Sequence, residues 1–158
     1  MTEMNTVTAV PPRESRPGRL ALPWWQAAAA GAALATVINL LILLAARAAD
    51  ASLVLREPGA ADHPITAGGV IFSSVVPMTG GILLATLLAR RWPGVLRLAQ
   101  LVGGGLALLT VAGPLTGGTD GATRTALVAM HLVVGVTVVL ALEAIRRRRP
   151  DPAGGRIR

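Results

Sequence analysis

The sequence predicts an all-α fold, an integral membrane bundle of four antiparallel transmembrane helices. Three observations carry that reading. Four apolar stretches, at 24–46, 67–89, 98–116 and 125–142, each approach the length that crosses a bilayer. A helix rises ~1.5 Å per residue, so about 20 apolar residues cover a hydrocarbon core of about 30 Å. The stretches are apolar on nearly every face, whereas a helix against water keeps a polar stripe. Finally, the charged residues lie almost entirely between or outside them.

Residues 1–22 carry Thr, Pro and Arg with little apolar periodicity, which predicts a disordered arm. The membrane domain then covers 23–146, with helices at about 24–46, 67–89, 96–116 and 123–145. Trp24 and Trp25 open the first helix and Trp92 follows the second, where indole rings favour the water–lipid boundary. Ala46-Arg47-Ala48 resembles a signal-peptide cleavage site, but the preceding apolar run exceeds the usual ~7–15 residues, so the first helix is expected to be retained. The connection at 47–66 is long enough to be functional or simply mobile. Pro93-Gly94 predicts a tight turn between antiparallel helices. Thr66 is placed to cap the second helix, and Thr119 or Asp120 the fourth, through side-chain oxygens that accept free backbone N–H groups. Residues 147–158 form a basic tail with two prolines and two glycines.

The net charge is +7, and every basic residue is Arg. Twelve arginines flank one side of the predicted bundle: three before the first helix, Arg90, Arg91 and Arg97 at the second connection, and six after the fourth. Only Arg47, Arg56 and Arg124 lie on the other side, with Asp50, Glu57, Asp62 and Asp120 alongside. Cytoplasmic loops accumulate positive charge, so both termini are expected in the cytoplasm. An Ala-, Gly- and Arg-rich chain without Lys fits a GC-rich bacterial genome, and hence a bacterial plasma membrane. The Arg146, Arg147, Arg148, Arg149 run directly after the last helix is a candidate contact for anionic lipid, worth about 1 kcal/mol per residue near the surface. It equally serves as an orientation signal. Without an aromatic platform it gives no reason to expect nucleic acid.

Placing each helix symmetrically about the midplane puts one polar residue of each at a common level, ~6 Å outward of centre by helical rise. These are Asn39, Ser74, Thr110 and His131, a candidate polar layer facing the bundle interior. Small residues accompany it at helical spacing: Ala28, Ala32 and Ala35 on the first helix, Gly103 and Ala107 on the third, Gly135 on the fourth. Such residues let backbones approach, and polar groups then bond across the contact. Pro77 withholds an N–H from the Ser73 carbonyl near the same level. Two readings follow. As a site, an intramembrane histidine marks a relay or ligand position, with Arg124 on its face. As packing, His131 stays neutral and pairs with Asn39 or Thr110, each bond worth about 0.6–2 kcal/mol.

Other signals point away from chemistry. The chain has no Cys, so thiol chemistry is excluded. Glu143 with Arg146 and Arg147 at i+3 and i+4 reads as an interfacial ion pair. Gly103-Gly104-Gly105 lies in an apolar segment without a P-loop ending and reads as close packing. Asp50, Glu57, Asp62 and His63 share a loop but lack metal-ligand spacing. No cofactor, metal or catalytic set is expected.

Three stretches resemble an uncharacterised family of small bacterial four-helix membrane proteins. They are Ala35-Thr36-Val37-Ile38-Asn39 in the first helix, Pro64-Ile65-Thr66-Ala67-Gly68 opening the second, and Met130-His131-Leu132-Val133-Val134-Gly135 in the fourth. That family is a domain of unknown function found chiefly in actinobacteria. The likeness covers roughly residues 24–145 and implies four membrane helices, with no activity or catalytic residues attached. The expected function is therefore a non-enzymatic structural or interaction component of the membrane, with lipid, a second copy or another membrane protein as partner. The alternative is a small oligomeric transporter or channel subunit using the polar layer around His131 and Asn39.

Overall fold

A computed structural model describes residues 22–56, 61–92 and 94–148. Its elements are α1 (Trp24–Ala48), strands β1 (Val54–Leu55) and β2 (His63–Pro64), α2 (Ala67–Arg91), α3 (Val95–Thr110), the short α4 (Ala112–Thr116) and α5 (Gly121–Arg148). Four helical segments among the described residues are long and apolar enough to cross a membrane, counting α3 and α4 as one. Residues 1–21 of the expected N-terminal arm, Pro93 of the expected turn and most of the basic tail, Arg149 included, lie outside the described residues, whereas Leu22 N–H donates to the Ala144 carbonyl at 3.4 Å.

The third helix is not continuous as expected over 96–116. It stops at Thr110, where Val111 N–H turns back to the Leu108 carbonyl at 3.2 Å, and a short helix resumes at Ala112. Pro114 is the physical reason, because it has no N–H to offer the Thr110 carbonyl four residues earlier. The fourth helix begins at Gly121, two residues before the expected start, because Asp120 caps it: the Thr123 N–H donates to Asp120 Oδ1 at 2.9 Å. Thr119, the other candidate cap, is buried with its hydroxyl unpaired. Thr66 caps α2 as expected, accepting from the Gly69 N–H at 3.1 Å.

The long connection forms a two-stranded antiparallel hairpin, pairing Val54 with Pro64 and Leu55 with His63. It is tied to the start of α5. Ser52 donates through its N–H (3.2 Å) and its hydroxyl to the Asp120 carboxylate, and Leu53 N–H donates to Thr123 Oγ1 at 3.0 Å. Thr123 in turn donates to Asp120 Oδ2 at 2.6 Å. Leu53 sits at φ 50°, a left-handed conformation that a bulky side chain adopts only when its surroundings hold it there. Its burial and its carbonyl's bond from Ile65 N–H at 2.7 Å complete that hold.

The helices pack in the order α2–α1–α5–α3. Small residues line the central seams: Ala27, Ala28, Ala32 and Ala35 of α1 are buried, while Leu101 and Leu109 of α3 are 75% and 71% exposed. Small inside and large outside is the inverse of a water-soluble bundle, and it suits a hydrocarbon surround. Gly31 lies against Met78 and Ala141, where a Cβ would come within 3.2 Å of the thioether sulfur. Gly135 is tighter still, since a Cβ there would stand 2.7 Å from Ala107 Cβ.

Gly135→Ala should lower the melting temperature in detergent. Overpacking costs about 1–3 kcal/mol against a helix-propensity gain of at most about 1. Combining it with Ala107→Gly should restore most of the loss, whereas an unchanged melting temperature for the single variant would contradict the close approach.

A second expectation concerns pH. Hydrogen bonds from Ser52 and Thr123 hold the Asp120 carboxyl well below the usual carboxylate range. A depressed folded-state value means the anchoring contributes fully above that range and is lost as pH falls below it. Amide exchange at Leu53, corrected for intrinsic rates, should therefore accelerate on going from neutral pH to about pH 3, and in Asp120→Asn already at neutral pH.

Candidate functional site

α2 and α3 follow each other through the Trp92 turn yet touch far less than the other neighbouring pairs. Leu96 packs with Ala85 and Ala89 near that turn, and beyond it a cleft of about 840 Å³ lies between the two helices. α5 closes its back through Leu127, Met130, His131, Val134, Val138 and Leu142. Asn39 is the α1 residue in its wall, and Leu55 and His63 of the hairpin stand at one end. No Arg, Asp or Glu lines it among the described residues. The cleft follows from side-chain size. α3 turns Gly103, Gly104 and Ala107 toward Val138, Val139 and Gly135 of α5, and presents Leu98, Val102 and Leu106 to the cleft.

The expected polar layer is only partly assembled. Asn39 Nδ2 donates to Ser74 Oγ at 3.0 Å, a buried bond between α1 and α2. Thr110 does not face the interior. It is exposed, and its hydroxyl donates at 2.9 Å to the Ala107 carbonyl of its own helix, because α3 approaches only α5 closely. His131 pairs with neither Asn39 nor Thr110. Its Nδ1 lies 2.7 Å from the Leu127 carbonyl, one turn back on α5. Arg124 turns away from His131, donating at 3.4 Å to the Gly117 and Thr119 carbonyls. Asn39, Thr110 and His131 nonetheless share the cleft wall, and Ser74 stands behind it.

The hydrogen-bond inventory of the cleft is lopsided. A carbonyl can only accept, so Nδ1 of His131 carries a proton, and in the neutral imidazole Nε2 then keeps a lone pair. The Thr110 hydroxyl proton is committed to Ala107, and that of Ser73, also in the wall, to the Val70 carbonyl at 3.2 Å. Asn39 Oδ1 is buried without a partner. Pro77 in the same wall has no N–H for the Ser73 carbonyl. Each of these groups is left with accepting capacity, and Asn39 alone keeps an uncommitted proton, the second N–H of Nδ2.

At the opposite end, Glu143 accepts from Arg146 Nε at 2.8 Å and Arg147 Nε at 2.7 Å, the ion pairs expected from spacing. Gln100 of α3 joins them at 3.2 Å and also bonds the Val139 carbonyl. That link was not anticipated, although a lone Gln in an apolar helix is a signal that could have shown it. Arg146 and Arg147 are thus partly neutralised within the fold, leaving Arg148 as the exposed, unpaired member of the cluster among the described residues. Arg56 pairs with Asp62 at 3.4 Å in the hairpin loop. No group of three or more metal-ligating side chains forms among the described residues.

Fold and cleft together define a class: a four-helix bundle of membrane-spanning character whose second and third long helices stand apart around an apolar cleft. The chain belongs to the family of unknown function DUF6069, whose model matches residues 20–148. No curated protein and no solved structure matches it.

Proposed function

We propose that the protein is a non-enzymatic interaction component of a bacterial plasma membrane, with both termini cytoplasmic, that works by holding a membrane-soluble partner in the α2–α3 cleft. The open cleft is the single observation that carries this reading: its volume of about 840 Å³ falls in the range of small-molecule sites, and its lining is almost wholly apolar. Three of the four acidic side chains among the described residues are engaged elsewhere, Asp120 with Ser52 and Thr123, Glu143 with its arginines, Asp62 with Arg56, and the fourth, Asp50, does not line the cleft. The arginine distribution supports the orientation. Arg148 and the neighbouring basic residues would rest on anionic lipid at the cytoplasmic face.

The transport alternative has less support. Asn39, Ser73, Thr110 and His131 are confined to the hairpin half of the cleft, and the other half is lined by Leu84, Leu88, Leu98 and Leu142. Channels select through polar or charged lining groups, and that half offers none among the described residues.

Native mass spectrometry of protein extracted from its own membrane should show a retained apolar small molecule or a second membrane chain. Gly81 lines the cleft, and a Cβ added there meets nothing within 4 Å, so Gly81→Leu fills the space without disturbing packing. That variant should lose the retained species while keeping its melting temperature. Wild type that carries nothing under any extraction condition contradicts the proposal. Because the chain has no Cys, single cysteines at Asp62 and Trp92 report orientation cleanly. Impermeant reagent should label the first from outside intact cells and the second only after permeabilisation.

A further inference from the structure

We infer that the cleft binds an uncharged single-chain lipid bearing a hydroxyl, which donates its proton to the acceptors gathered around Asn39 and His131. This rests on the cleft being an intramembrane binding site and names its ligand class. Four observations converge. The carboxamide of Asn39 is 3% exposed, lies in the cleft wall, and leaves Oδ1 unpaired in a low-dielectric setting, where an unmade bond costs most. His131 Nε2, Thr110 Oγ1 and Ser73 Oγ offer further lone pairs, their protons being spent on backbone carbonyls. A ligand that only accepts, such as a ketone or an ether, cannot complete Asn39 Oδ1. A hydroxyl supplies the missing proton.

Charge and size narrow the class. With no Arg, Asp or Glu in the wall among the described residues, a phosphate or ammonium headgroup would be buried unpaired. The cleft wall on α2 runs from Gly69 to Leu88, or ~28 Å by helical rise. An extended hydrocarbon chain fits, with its tail among Leu84, Leu88, Leu98 and Leu142. The hydroxyl then sits beside Asn39, nine residues or ~14 Å from the hairpin end of α1.

The test uses full-length, delipidated protein in detergent and three probes of one chain length: hexadecanol, its methyl ether and hexadecane. A photoreactive hexadecanol with a diazirine near the chain end reports occupancy by crosslinking, and the unlabelled probes compete. Hexadecanol should compete about tenfold better than the ether, the size of one hydrogen bond at this depth. Crosslinks should map to α3 and α5 near Leu98 and Leu142. His131→Leu and Thr110→Val, which lie outside the buried α1–α2 contact, should each shrink that discrimination while the labelled chain still crosslinks. Asn39→Leu should abolish it, provided its melting temperature stays near wild type. Equal competition by alcohol and ether overturns the hydroxyl assignment but leaves the cleft a binding site. Absence of saturable crosslinking for every probe overturns both.

Discussion

The exclusion of water from a hydrocarbon core is the constraint on which the rest of this structure depends. Every backbone N–H and carbonyl must find its partner within the span, so helices are the only economical form for these four segments. The same exclusion removes the usual drive to bury large apolar side chains, because lipid accepts them as readily as a protein interior does. What holds the helices together is close approach, and close approach requires small residues. Ala28, Ala32 and Ala35 with Gly31 make α1 the axis of the bundle, in contact with both α2 and α5.

That rule also decides where the bundle stays open. α3 turns Gly103, Gly104 and Ala107 toward α5, where Ala107 and Gly135 nearly touch. Toward α2 it presents Leu98, Val102 and Leu106, and these hold α2 at a distance. Gln100, reaching across to Glu143 and the Val139 carbonyl, fixes the α3–α5 pairing at the end bearing the termini. The tight turn at Trp92 brings α2 and α3 together only at their base. A cleft between sequential helices is therefore a consequence of which face of α3 is smooth, and not of any missing element.

The number of membrane spans, their antiparallel order and the small-residue seams were legible in the sequence, because span length and side-chain size are local properties. So were the Thr66 cap and the Glu143 ion pairs, which depend on spacing along one helix. The hairpin was not, since two-residue strands leave no alternation to read. Pro114 signalled the break after Thr110, but the apolar run through it hid the signal. The polar layer was half legible. Equal depth brought Asn39 and Ser74 together, because they occupy facing sides of tightly packed helices. Depth alone said nothing about rotation, so Thr110 and His131 share the level without joining the bond.

Most threonine hydroxyls in these helices, and the imidazole of His131, bond within their own helix; Thr36, whose hydroxyl oxygen is buried without a partner, is an exception. Thr79, Thr86, Thr137 and Thr110 each donate to a carbonyl one turn back, as His131 does. Such a group needs no neighbour, which is why threonines are common here without forming a network. A carboxamide differs, because it has a donating end and an accepting end that one partner cannot satisfy together. Ser74 takes one end of Asn39, and none of the described residues takes the other. Leaving a buried acceptor unmade costs about 1–3 kcal/mol, comparable to everything the Asn39–Ser74 bond contributes. As a packing device alone, then, Asn39 is close to neutral, and a leucine would serve α1 as well. The residue makes physical sense when the unpaired end is completed by a group from outside the chain, and the cleft is where such a group can enter.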